Sequence, residues 1–282
     1  MKPVIISADS PIDFTPEQAQ RFGVKVIPMH ISLDGREYLD GVDITTPDLF
    51  AAYRDKKILP KTSAIAIAEY SDFFSEFLKD GCEVVHLSLS SQLSSTHQNA
   101  VIAASQLDGV YVLDTMHLSS SIALLSIKAA QLRDSGELSA KDIFTRMQAM
   151  REKVHTSFVL DTLTFMSKGG RCSGVTAFGA NILGIRPMLG MSEGSLGVVK
   201  KYRGKPESVQ LQYLTDVLSQ CPDIDDSFAV ICHSGISEQQ YEALEKKAME
   251  IGHFKEIMQM QAGCTISTHC GPNAMGILFM SR

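Results

Sequence analysis

The 282-residue chain has no Cys-x-x-Cys pair, no basic excess and no apolar run long enough to cross a bilayer. Its six cysteines, Cys82, Cys172, Cys221, Cys232, Cys264 and Cys270, are widely spaced, which excludes the disulfide-dense scaffolds of small secreted proteins. Lys and Arg total 26 against 32 Asp and Glu, a formal charge of −6, and no basic stripe stands out, so nucleic acid is not an expected partner. The longest uncharged apolar runs, Ser119–Ile127 and Ala177–Ile185, fall far short of the roughly 20 residues that a membrane helix needs. Met1–Ile6 leads to Asp9 with no apolar signal core between, and cytoplasmic residence is the expectation.

Ready-made chemistry is missing as well. No Gly-x-x-x-x-Gly-Lys-Ser/Thr loop, no Gly-x-Gly-x-x-Gly turn and no Gly-x-Ser-x-Gly elbow occurs. Cys264, His269 and Cys270 are the nearest thing to a metal cluster, but their spacing matches no structural zinc pattern and a fourth ligand is lacking. They read as ordinary thiols beside a histidine, and neither a metal nor a cofactor is expected. Asp9, Asp13, Asp40 and Asp43 sit near turns, where helix caps and Asx-turns account for each.

What remains is a chain with 44% apolar and 21% charged residues, a globular composition. Its first half alternates short apolar runs with longer amphipathic ones, the pattern of βα units around a mainly parallel sheet. Val4–Ser7, Val84–Leu89 and Gly109–Leu113 read as buried strands. Val24–Ile31 reads as an edge or irregular strand because Pro28 cannot donate to a ladder. Helices are expected over Thr46–Lys56, Ala66–Leu78, about Ser95–Leu107, Leu118–Leu132 and Ala140–Lys153.

The second half mixes strands at Phe158–Leu160, Leu196–Lys201, Phe228–Ile231 and Ile277–Met280 with helices at Leu163–Ser167 and Glu238–Ile251. The fold class predicted is therefore α/β in two domains. Residues 1–154 form a mainly parallel-sheet domain and residues 155–282 a smaller α+β domain. Ligands of such sheets bind at the carboxyl ends of the strands, which directs attention to the turns after Ser7, Leu89 and Leu113.

Three polar clusters interrupt this apolar background: Thr62-Ser63, the run Ser88–His97, and Ser267–Pro272. Hydroxyls beside the free N–H groups of a helix start can hold a carboxylate or phosphate. The same residues are also the commonest caps, so Ser94 and Ser95 carry both readings. His269 alone reads as a structural histidine. Lys168-Gly169-Gly170-Arg171 reads first as a helix end with favourable cations, and second as an arginine offered to phosphate.

Taken in order, the clusters resemble the DegV family, fatty-acid-binding proteins that act as B subunits of bacterial fatty acid kinase. Asp9-Ser10 resembles the family's Asp-Ser-Thr turn, and Val26–Met29 its second strand. Thr62-Ser63 resembles its Thr-Ser-Gln-Pro, Leu93–Ala100 its Leu-Ser-Gly-Thr, Lys168–Ser173 its Gly-Gly-Arg, and Thr268–Gly276 its His-x-Gly-Pro-Gly segment. The resemblance implies a long-chain fatty acid in a tunnel between two domains. Its carboxyl group would be held by Thr62 and Ser94, with Ser63, Ser95 and His269 close by.

It also implies that Arg171 and Arg203 serve phosphate handling or docking with a separate ATP-dependent kinase. The acyl phosphate would then enter phospholipid synthesis, and the chain itself would not be an enzyme. Pro11, Ala64-Ile65, Ser95 and Asn273 depart from the family pattern around the head group. The competing expectation is a hydrolase or phosphotransferase built on Ser94 and His269, against which no motif supplies a third residue to orient the histidine. Thirteen methionines suit either ordinary core filling or an adaptable apolar tunnel.

Overall fold

The computed structural model describes residues 2–173 and 184–282. In the first half the chain runs β1 (Val4–Asp9), α1 (Pro16–Phe22), β2 (Val24–Ile27), β3 (His30–Leu33), β4 (Arg36–Leu39), α2 (Thr46–Lys56) and β5 (Lys61–Ser63). It continues through α3 (Ile67–Lys79), β6 (Glu83–Ser88), α4 (Thr96–Ala104), β7 (Val110–Asp114), α5 (Ser120–Asp134) and α6 (Ala140–Met150). Strands β1, β2, β6 and β7 form one all-parallel sheet in the order β2-β1-β6-β7. The central strands are buried on both faces, which is why Val4–Ser7 and Val84–Leu89 read as continuous apolar runs.

Pro28 does more than roughen a strand. It divides the expected Val24–Ile31 into β2 and β3, which belong to different sheets. Proline supplies no N–H, and the next residue, Met29, gives its own N–H to Ser10 Oγ at 3.0 Å rather than to a ladder. Beyond the break, β3 pairs with β4 and β5 in a small antiparallel sheet, β4-β3-β5, that sequence periodicity did not separate. The helix expected over Ala140–Lys153 also stops early, at Met150, and a 3-10 turn follows over Arg151–Lys153.

The second half comprises β8 (Val154–Val159), α7 (Thr164–Gly169), β9 (Cys172–Ser173), β10 (Ile185–Ser192), β11 (Ser195–Arg203) and α8 (Pro206–Gln220). Then follow β12 (Ile224–His233), α9 (Glu238–Gly252), β13 (Ile257–Gln261), α10 (Cys264–Cys270) and β14 (Met275–Ser281). The strands form one mixed sheet, β13-β12-β14-β8-β10-β11-β9. Of the apolar run Ala177–Ile185, only Gly184 and Ile185 fall within the described residues. Strands β10 and β13 and helices α8 and α10 have no counterpart in the sequence-based expectation.

Helix α5 lies between the two large sheets and packs on β1, β6, β8, β12 and β14. Ten of its residues are buried, so it carries no polar face and could not show amphipathic periodicity. Two of its hydroxyls reach partners outside the helix: Ser121 Oγ and Thr156 Oγ1 lie 2.6 Å apart across the interface, and Ser120 Oγ donates to Asp13. The largest core follows the same path, joining Ile6, Leu87 and Leu125 of the first half to Phe158, Met260 and Leu278 of the second. Among the described residues, no helix is long and apolar enough to cross a membrane.

Candidate functional site

The carboxyl ends of the parallel strands, the small sheet and α10 meet at one cavity. Thr62, Ser63, Ser94, Arg171 and His269 all line it, so five of the seven residues selected from sequence come together here. Ser95 does not. It enters α4 in the helical region of backbone space, leaving its side chain exposed and outside the lining. Arg203 is exposed at the far end of β11, seven residues beyond the lining residue Leu196, or about 20 Å along an extended strand.

Each side chain reaches the cavity for a local reason. Thr62 sits in β5 opposite Ile31, where the short antiparallel pairing fixes its direction. Ser94 lies in the turn before α4, and its Oγ accepts the Thr96 N–H at 3.2 Å while contacting Thr96 Oγ1 at 2.8 Å. Capping and cavity lining are thus compatible in one residue. The two glycines of Lys168-Gly169-Gly170-Arg171 have separate tasks. Gly170 closes α7 in the left-handed region, φ 68°, whereas a Cβ on Gly169 would lie 2.3 Å from His269 Nδ1.

His269 ties the two halves together. Its Nε2 lies 2.9 Å from Thr62 Oγ1, with donor and acceptor set by the tautomer. Burial, assisted by the nearby Arg171 charge, lowers its pKa from 6.5 to about 4, so the imidazole is neutral at pH 7. Ser94 and His269 share no hydrogen bond, and no nucleophile–base pair is assembled between them. Cys264 and Cys270 are buried thiols pushed up to about 12 by desolvation, which leaves them protonated. No cluster of metal-ligating groups occurs among the described residues.

Below this mouth the walls turn apolar through Met29, Leu93, Leu118, Met166, Leu196 and Ile266. A second cavity adjoins it and shares Leu118, Phe158, Ile266 and Cys270 with the first. The spaces are narrow, about 60 and 30 Å³.

The aspartates near turns are not the simple caps expected of them. Asp9 is fully buried and accepts hydrogen bonds from Tyr70 Oη, from the Leu89 N–H at 2.8 Å and, depending on tautomer, from His86 Nε2 at 3.0 Å. Asp40 accepts the Cys264 and Thr265 N–H groups at 2.8 and 3.2 Å and the Thr265 hydroxyl at 2.6 Å, capping α10 from another part of the chain. Asp13 accepts the Gly263 N–H at 2.8 Å and the hydroxyls of Ser119 and Ser120. Burial raises its pKa from 3.8 to about 7 despite those bonds. Only Asp43 keeps to its neighbourhood, accepting the Leu39 N–H at 2.6 Å.

Together these features define an α/β protein of two large sheets and one small one, with a hydroxyl- and cation-lined cavity that adjoins a second, mainly apolar one. The chain belongs to the DegV family: the family model described as "Uncharacterised protein, DegV family" matches residues 3–282. A DegV domain-containing protein of Caldanaerobacter subterraneus subsp. tengcongensis is 30% identical over 287 aligned positions, covering 100% of both chains. The structure of a Thermus thermophilus DegV family protein, described for its fatty acid binding, matches with a TM-score of 0.90 and 27% identity over 100% of both chains. DegV of Bacillus subtilis, described as a fatty acid binding protein, matches over 100% of both chains with a TM-score of 0.85. At 23% identity that likeness speaks to the fold alone.

Proposed function

We propose that this chain binds a long-chain fatty acid and presents it to a separate ATP-dependent fatty acid kinase, whose acyl-phosphate product feeds phospholipid synthesis. The observation that carries the reading is the adjacency of polar and apolar space. Thr62, Ser94, Arg171 and His269 line one cavity, and a mainly apolar one shares its Leu118 and Phe158 wall. The carboxyl group belongs on Thr62 and Ser94, with Ser63 and His269 beside it, and the tail lies inward. The fatty acid binding described for the Thermus thermophilus relative supports an acyl ligand.

The energetics favour a tail-driven ligand. Burying a sixteen-carbon chain offers about 12 kcal/mol gross, at roughly 0.8 kcal/mol per methylene. A neutral hydrogen bond nets about 1 kcal/mol, so the hydroxyls orient the head group and satisfy it rather than supply affinity. A tail enters the narrow channel as flexible lining side chains, Met29 and Met166 among them, rotate aside. The chain acts as a carrier and not as the kinase, and Arg203, exposed and remote from the mouth, is the docking residue.

Mild purification, solvent extraction and mass spectrometry test the binding. One long-chain fatty acid per chain is the expected result. A protein that yields none and also fails to take up labelled palmitate or oleate would sink the assignment. For the docking role, Arg203→Ala should leave the extracted lipid unchanged and slow turnover by the partner kinase, and unaltered turnover removes Arg203 from that surface.

A further inference from the structure

At the end of α10 away from His269 lies an open groove of about 620 Å³, walled by the start of α1, the end of β2, the turn before α2 and the first turn of α10. It is far larger than the acyl cavities and shares no lining residue with the one that holds Thr62, Ser94 and His269. Part of its wall is apolar and stiff, made by Phe14, Pro16, Pro28, Val42 and Pro47. Val42 is 68% exposed, the most exposed large apolar side chain among the described residues. A lone surface valine is ordinary, but on the lip of a groove beside prolines it extends an apolar surface that nothing in the chain covers.

The charged groups that line the groove are all of one sign. Asp13, Asp40, Asp43 and Asp48 are there, and among the described residues no Lys, Arg or His is. Asp13 and Asp40 are buried and accept hydrogen bonds from the start of α10. Asp43 and Asp48 are exposed, and neither makes an ion pair among the described residues. Hydrogen bonds from the Thr45 hydroxyl and N–H hold the Asp48 carboxyl below its usual range, so it is charged at neutral pH.

This chemistry selects the occupant. An anionic lipid surface is repelled by an acid-lined groove, and a second copy of a chain with formal charge −6 brings the same sign. Strand addition gains little, because the edge strand β2 has four residues and Pro28 follows it. We propose that the groove docks a segment of a partner protein in which a large apolar side chain is flanked by Lys or Arg. The apolar side chain packs on Val42 and the prolines, and the basic ones meet Asp43 and Asp48. The assignment is independent of what fills the acyl cavity.

A labelled peptide of alternating lysine and leucine, titrated by fluorescence anisotropy against the full chain, tests this. The variants are Val42→Lys and Asp43→Asn/Asp48→Asn. Asparagine keeps an acceptor oxygen for the Leu39 and Thr45 N–H groups, so the double variant should fold. The native chain is expected to bind this peptide at least about tenfold more tightly than one of alternating glutamate and leucine. The double variant should weaken the basic peptide about fivefold, and Val42→Lys about tenfold. In the native chain, the amide resonances that shift on binding should cluster at residues 14–16 and 41–48, a readout that needs no variant. Equal affinity in all three chains, or shifts scattered elsewhere, would be diffuse attraction to a net-negative surface and overturns the proposal. So does the absence of binding at about 1 mM peptide. Self-association of the native chain that Val42→Lys abolishes would give the groove to a second copy and overturn the choice of partner.

Discussion

At its first turn α10 is held by two buried carboxylates that accept hydrogen bonds from backbone and hydroxyl donors on every side. At its last turn the same short helix carries a threonine hydroxyl and an imidazole nitrogen with no partner, close to an exposed arginine. Saturated polar contacts make a rigid anchor, because no rearrangement gains a further bond. Unsaturated ones, buried beside positive charge, keep a capacity that only a ligand fills. Asp13 and Asp40 therefore set where α10 stands, and Thr268 and His269 are what that position presents.

Breaking the anchored end gives the largest effect. Asp40→Ala strands the Cys264 and Thr265 N–H groups and the Thr265 and Ser10 hydroxyls together. A loss of about 3 kcal/mol or more is expected in urea unfolding, with acyl binding falling as His269 loses its seat. A cost below about 1 kcal/mol would show that other acceptors replace the carboxylate and that the anchor lies elsewhere.

The two ends also respond oppositely to pH. Asp13 titrates near 7 in the fold and near 3.8 when unfolded, so between those values the folded chain holds a proton that the unfolded chain has released. Its contribution to stability therefore falls as pH rises through that window and is level above it. His269, at about 4 in the fold against 6.5 unfolded, costs stability as pH falls from 6.5 towards 4. Asp13→Asn removes the first effect and keeps the second. Relative to the native chain, it should gain stability on going from pH 4.5 to pH 8, by a few kcal/mol at most. Denaturation midpoints at the two pH values check this, and a difference that does not change with pH would mean that Asp13 is ionised throughout.

The smallest effect sharpens the boundary of the mouth. Ser94 lines the cavity and Ser95 does not. Ser94→Ala should lower fatty-acid affinity about fivefold, the worth of one neutral hydrogen bond, and Ser95→Ala should change it less than about twofold. Equal effects of the two substitutions would show that the head group sits further along the turn than Ser94.

Much of the site was legible because its residues fall in short polar clusters within apolar surroundings. Thr62-Ser63, Ser94 and Lys168–Arg171 could be picked out with no knowledge of their neighbours in space. The aspartates were not legible in the same way. Asp40 and Cys264 lie 224 positions apart, and a carboxylate that caps a distant helix looks, in sequence, like one that closes its own turn. Helix α5 was recognisable as an apolar helix, but its burial between two sheets was not, since uniform hydrophobicity carries no direction.

Local chemistry settled the rest of what could be read directly. Glycine at position 170 closed a helix and continuous apolar runs became central parallel strands, whereas Pro28, expected inside one irregular strand, divided it into two. These outcomes depend on backbone geometry and on burial within a few residues of chain. Tertiary structure alone decided that Ser95 stays outside while Ser94 faces in, that Thr62 meets His269, and that Thr268 is left unmatched beside two lysines and an arginine. Hydrogen-bond saturation and charge convergence are sums over groups brought together from distant parts of the chain, and they have no value until the fold has assembled those groups.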